Sequence, residues 1–194
     1  MRRLALALLL LTLPAAAGAA DTATIALEMP VGLVQQACPA RVWKNTAVVW
    51  KGVTDKRPAP EVGVQTQKNK APIPVMAEPP IDKAFDVALR QLLPACGMTF
   101  AEKAGANALQ LSAEVREFST SVEKKLVTGK SEARSAIAFQ ARQGNRSTSV
   151  TVGYEMTSKK VRSGDIKQLT QTLNELFAET LKQIPATPEM RELK

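Results

Sequence analysis

The stretch Leu109-Gln110-Leu111-Ser112-Ala113-Glu114-Val115-Arg116 alternates apolar and polar side chains without a break. Successive side chains of a strand point to opposite faces, so Leu109, Leu111, Ala113 and Val115 share one face and their polar neighbours the other. The pattern returns in Ser135, Ile137, Phe139 and Ala141, and again in Val150, Val152, Tyr154 and Met156. The turn Arg142-Gln143-Gly144-Asn145 separates these last two runs, which read as a hairpin. One apolar face per strand calls for antiparallel pairing with the other face in water.

That apolar face needs a cover. Upstream, Ile81, Phe85, Ala88, Leu89, Leu92 and Leu93 recur at helical spacing opposite Asp82, Lys83, Asp86 and Arg90, and Pro94 and Gly97 close the segment. Downstream, Ile166, Leu169, Leu173, Leu176, Phe177, Leu181 and Ile184 form a second stripe that Pro185 stops, with Ser163 as N-cap and Asp165 favouring the helix start. Before both helices, the β-branched run Thr46 to Val53 reads as a first strand that ends at Asp55-Lys56-Arg57-Pro58. Six of the twelve prolines then fall between residues 58 and 80, so residues 54–80 read as a long irregular connection.

The element order is β-α-β-β-β-α. It predicts an α+β two-layer domain over residues 46–185, a mostly antiparallel sheet covered by two helices. An N-terminal arm, 21–45, precedes it, with Ile25, Leu27, Met29, Val31 and Leu33 in extended alternation. A polar, flexible tail, 186–194, follows.

Residues 1–20 carry Arg2 and Arg3, an apolar run from Leu4 to Leu13, Pro14, and small residues to Ala20, the layout of a cleavable signal peptide. The apolar run is shorter than the roughly 20 residues that span a bilayer. Export predicts a periplasmic or outer-membrane-associated protein and disfavours nucleic acid as a partner. Loss of Arg2 and Arg3 lowers the net charge from +8 to +6, an excess that favours anionic polymers such as lipopolysaccharide, anionic phospholipid or peptidoglycan. Two cysteines, Cys38 and Cys96, in an oxidising compartment predict a disulfide.

The chain contains no histidine, which excludes serine-histidine and cysteine-histidine hydrolases and imidazole zinc sites. Glu114, Glu117 and Glu123 lack the fixed separation in a cleft that glycosidase chemistry needs. No catalytic residue, cofactor or metal site is expected. The candidate binding residues are cationic. Asp55 could orient Arg57 towards an anion, or merely cap a turn with the basic pair solvated. Lys124, Lys125, Lys130, Arg134, Arg142, Arg146, Lys159, Lys160 and Arg162 could gather at one sheet edge, or form a charged rim. Trp43 and Trp50 flank the first strand, as a pocket lining or as core.

Val53-Thr54-Asp55-Lys56-Arg57-Pro58, Val62-Gly63, Leu92-Leu93-Pro94-Ala95-Cys96-Gly97-Met98 and the closing helix Leu169 to Ile184 together resemble the YajG family of envelope lipoproteins over about residues 45–185. The resemblance implies an α+β fold and an envelope address, with no catalytic residue to carry over. This sequence departs from the family by lacking a lipidation Cys after the small residues: position 21 is Asp, and Cys38 follows Gln35-Gln36-Ala37. The expected function is a non-enzymatic binding or assembly protein for an envelope protein complex or an anionic envelope polymer, with peripheral membrane association left open. The alternative is a small carrier of an apolar or anionic envelope ligand: lipid, lipopolysaccharide or a peptidoglycan fragment. Radiolabelled palmitate is expected to leave the mature chain unlabelled.

Overall fold

The computed structural model describes residues 22–66, 71–102, 108–123, 129–161 and 166–193. The expected signal peptide 1–20, Lys124, Lys125 and Arg162, and the N-cap reading of Ser163 with Asp165 lie outside the described residues.

The three alternating runs form the longest strands: β6 (Leu109–Glu123), β7 (Gly129–Gln143) and β8 (Arg146–Val161). To keep chain-order numbering, the earlier elements are β1 (Ala23–Ala26), α1 (Leu33–Ala37), β2 (Thr46–Asp55), β3 (Gly63–Gln65), β4 (Ile73–Glu78), α2 (Ile81–Ala95) and β5 (Met98–Phe100). The chain ends in α3 (Ile166–Ala186) and α4 (Pro188–Arg191). β6 pairs antiparallel with β7, and β7 with β8, so that Leu111, Ala141, Val115, Ile137 and Val152 share the apolar face as the alternation predicts.

The five-stranded sheet runs β5-β2-β6-β7-β8, and a second, three-stranded sheet runs β1-β4-β3. The α+β class holds, with more strands than the pattern showed. β2 lies parallel to both β5 and β6, because the intervening chain includes α2, which supplies the crossover a parallel pair requires. Gly52, at φ 93°, sits where the β2–β6 register slips between Trp50 and Val53; a bulge with left-handed backbone suits glycine.

Several expectations need correction. The connection 54–80 is not irregular throughout: β2 runs to Asp55, and β3 and β4 pair with each other and β4 with β1. The prolines concealed these strands, yet Pro74 sits within β4 opposite Val64, since one proline removes a single donor from a ladder. The tail is not free either: Met190 is fully buried, Leu193 is buried, and the Trp43 indole N–H donates to Met190 O at 2.7 Å. Nor does Pro185 stop α3, which continues to Ala186 while Thr187 N donates to Gln183 O at 2.9 Å. α2 similarly continues past Pro94 to Ala95. A proline in the last turn gives up its own bond but leaves earlier carbonyls to later donors.

The core lies between the long sheet and α2 and α3. Leu173, Leu176, Phe177, Leu181 and Ile184 of α3 are buried, and Phe177 packs on Phe85 and Phe118 with ring centroids 4.7 and 6.4 Å apart. Cys38 and Cys96 form the expected disulfide, Cα atoms 5.1 Å apart, tying the segment after α1 to the end of α2. Beside it Trp43 N donates to Cys96 O at 3.0 Å, and Gly97, at φ 104°, passes so close that a Cβ there would lie 2.6 Å from Trp43 O. Replacing both cysteines by serine is expected to cost about 4 kcal/mol through the freed unfolded chain, read as a lower urea midpoint.

Candidate functional site

Asp55 ends β2 and Arg57 follows on the loop towards β3. The Arg57 guanidinium carries five N–H donors, and all five are engaged. Its Nε donates to Asp55 Oδ1 at 3.0 Å; Nη1 donates to Glu61 O and Phe118 O, each at 3.1 Å; Nη2 donates to Asp55 Oδ2 at 2.8 Å and to Pro60 O at 3.0 Å. The side chain is 5% exposed. Asp55 also accepts the Arg57 backbone N–H at 3.0 Å. The pair is therefore a clamp within the fold, not a receptor for an external anion, because no guanidinium donor is left to offer. Burial pushes the Asp55 carboxyl up, but the Arg57 side-chain bond, backbone bond and positive charge outweigh it and hold the carboxyl below its ordinary value. A groove of about 400 Å³, lined in part by Pro58, Glu61, Val64 and Arg116, runs over the clamp.

The other basic candidates do not converge. Arg142 and Arg146 flank the Gly144-Asn145 turn at one end of the β7–β8 hairpin, and Lys159 and Lys160 stand near the far end of β8. At roughly 3.3 Å per residue the two groups are on the order of 40 Å apart, so a single patch is not assembled. Lys130 is directly opposite Lys159 in the ladder. Arg134 lies between the poles and bonds Glu155 and Glu132 at 3.2 and 3.4 Å. Trp43 is core; Trp50 is half-buried, stacks on Phe100 and donates to Asp86 Oδ1 at 2.7 Å. Glu114 pairs with Arg116 at 3.3 Å.

The edges of the two sheets differ sharply in treatment. β2 leaves β6 after Asp55 pairs with Val115, and the next groups on β6 are covered: Lys56 N donates to Val115 O, Arg57 to Phe118 O, and Thr120 N to Val62 O. The edge of β1 is closed by the Asn174 amide of α3, which donates to Ala26 O at 3.0 Å and accepts Glu28 N at 2.8 Å, as a neighbouring peptide would. β5 is only three residues long. β8, with sixteen residues, has β7 as its one paired strand among the described residues. Between Ser147 and Thr157 it contains no proline and no lysine, and its register slips only at the Gly129–Lys130 end. Natural sheets use short length, lysine, proline, bulges or covering segments to block such an edge. Ser147, Ser149, Thr151, Gly153, Glu155 and Thr157 are exposed on one face, and Tyr154 and Met156 are half-buried on the other.

A groove of about 430 Å³ flanks the start of β8, between Arg146, Thr148 and Val150 and the terminal Glu189, Glu192 and Leu193. Sequence reading allowed for docking at an exposed sheet edge or the proline-rich loop but did not single out β8, Asn174 or the two glutamates. Pairing of β8 on one side only is a property of topology, whereas the freedom of Ser147 to Thr157 from proline and lysine was visible in the sequence.

The sequence profile of a family described as uncharacterized lipoprotein matches residues 43–193. The chain belongs to this family. It is the YajG family that the motifs over residues 45–185 resemble, and a lipoprotein family points to a cell-envelope location. No curated protein matches. Among solved structures, a crystal structure of an uncharacterized protein is similar at 14% identity and TM-score 0.46, covering 90% of this chain and 100% of that one. The hypothetical protein CT253 from Chlamydia trachomatis is similar at 10% identity and TM-score 0.39, covering 77% and 97%. Lipoprotein GNA1162 from Neisseria meningitidis is similar at 9% identity and TM-score 0.33, covering 69% and 99%. At TM-scores below 0.5 none of the three bears on function.

Arg57→Ala strands the carbonyls of Phe118 and Glu61 and the Asp55 carboxylate, and is expected to cost about 2–4 kcal/mol in urea unfolding, with Arg57→Lys restoring little. Because the folded Asp55 pKa is depressed, its contribution is complete above the unfolded pKa near 4 and is lost as pH falls through the lower folded value. Asp55→Asn is expected to reduce the loss of stability on acidification over that window.

Proposed function

We propose that this chain is a non-enzymatic accessory protein of the cell envelope, periplasmic and unlipidated, that binds by strand addition along β8. One observation carries this reading: the edges of β1 and of the far half of β6 are closed by Asn174, Arg57 and Val62, while among the described residues sixteen-residue β8 is paired on one side only. An extended segment added there would gain a ladder of backbone hydrogen bonds, with specificity from alternate side chains. The absence of histidine, the commonest general base, supports a binding role over a catalytic one. The carrier alternative would place its ligand between sheet and helices, where Phe85, Phe118, Phe139 and Phe177 already pack fully buried.

A photo-crosslinking amino acid at Ser149, on the exposed face of β8, is expected to yield protein adducts in intact cells. The same group at exposed Lys83 of α2 is expected to yield several-fold fewer. Thr151→Lys, which places an edge charge in the middle of β8, is expected to abolish the Ser149 adducts while leaving the melting transition in place. Equal labelling from both positions would overturn the reading.

A further inference from the structure

We propose that the end of the five-stranded sheet where β6 and β8 begin is a site for the phosphoethanolamine headgroup of a membrane phospholipid. The headgroup is held in the groove between Arg146 and the two glutamates of α4. This goes beyond strand addition along β8 and does not depend on it.

Three segments far apart in sequence meet at this end. Gln143 opposes Arg146 where the β7–β8 hairpin turns, and β2 begins here, with Val48 opposite Leu109. The residues just before β2 are held against α4, since the Trp43 indole N–H donates to Met190 O at 2.7 Å. Exposed cations therefore gather from all three: Arg41 and Lys44 from before β2, Arg142 and Arg146 from the hairpin, and Arg191 from α4. The acidic residues of these segments are Glu189 and Glu192. The excess of cations draws this end of the molecule to an anionic bilayer surface.

The groove of about 430 Å³ at this end has walls of opposite sign, Arg146 on β8 and Glu189 and Glu192 on α4. All three are exposed, and among the described residues none of them has a hydrogen bond or ion pair. Opposite charges that line one groove without meeting suit a molecule that carries both signs. The guanidinium offers its fork of donors to a phosphate, and two carboxylates together accept the N–H groups of one ammonium. Phosphoethanolamine carries these groups at the two ends of a short ethylene arm. Leu109, Val150 and Leu193 of the groove are 7, 7 and 6% exposed, whereas Leu111 and Ile137 further along the same face are sealed at 0%. That thin apolar lining receives the methylenes next to a headgroup, which favours a lipid over a wholly polar zwitterion.

The processed, oxidised chain is expected to cosediment with vesicles of phosphatidylethanolamine and phosphatidylglycerol. Binding is expected to weaken several-fold when phosphatidylcholine replaces the ethanolamine lipid at equal anionic content, because choline keeps the charge but has no N–H to give the glutamates. Glu189→Gln with Glu192→Gln is expected to abolish that preference without weakening binding to the choline mixture, an effect that general charge attraction would not produce. Arg142→Gln with Arg146→Gln is expected to weaken binding to both mixtures at least about tenfold. Lys51→Gln with Lys83→Gln, which removes the same charge from β2 and α2, is expected to change it less than about twofold. Circular dichroism of each variant checks that it is folded. Equal affinity for the ethanolamine and choline mixtures would overturn the headgroup site, and equal losses from the two cation pairs would overturn the docking end. No cosedimentation with either mixture would overturn both, and binding of soluble glycerophosphoethanolamine without binding to vesicles would overturn the lipid as its source. Strand addition at β8 is read separately, from the Ser149 adducts.

Discussion

Burial of one stripe of α3 is the constraint on which the rest of the structure depends. Leu173, Leu176, Phe177, Leu181 and Ile184 lose nearly all contact with water, and each such side chain contributes about 1.5–3 kcal/mol on burial. A stripe along a helix of 21 residues needs an equally long receiving surface, and strands of fifteen and sixteen residues provide it. α2 closes the other flank through Phe85. Among the polar groups in this interior, the hydroxyls of Ser135 and Thr180 bond to each other, and Thr180 also donates to Leu176 O at 2.6 Å. Both are buried, and a buried hydroxyl is tolerated when it is hydrogen-bonded.

Long strands bring a second problem, because backbone groups run beyond the neighbours that could pair with them. Side chains stand in where strands stop. The Arg57 guanidinium occupies the place of a continuing β2, and the Asn174 amide occupies the place of a strand next to β1. Both are planar groups whose donors can be aimed at carbonyls, and in each case the group is held from several sides, Arg57 by Asp55 and two further carbonyls, Asn174 by Thr170 O. This is why the motif that looked most like an anion site is a closure. A free cation would be exposed; this one is 5% exposed and saturated.

Much of the fold was legible. The alternation in β6, β7 and β8 and the stripes of α2 and α3 are long enough for periodicity to identify element and face. The Cys38–Cys96 bridge followed from an even cysteine count together with the expectation of export. What was not legible is short or masked by proline: β3 has three residues, β4 contains Pro74, and α4 has four residues beginning at Pro188. Segments of this length have no period to read, and they exist because Val62, Val75 and Met190 find fully buried places in the core. The candidate site was less legible than the fold. A list of lysines and arginines gives no distance, and the hairpin separates Arg146 from Lys159 by the length of β8.

By itself the sequence determined the α+β class, the faces of the main strands and helices, the disulfide and the family, because each depends on local period, local composition or short motifs. Tertiary structure alone decided that Arg57 is a clamp, that Trp43 is pinned by Met190 and that β8, among the described residues, is a long strand paired on one side only. These depend on which segments meet across 61 residues between Arg57 and Phe118 or 147 between Trp43 and Met190. A hydrogen bond is made or left open by the neighbour that arrives, and no single segment specifies its neighbour.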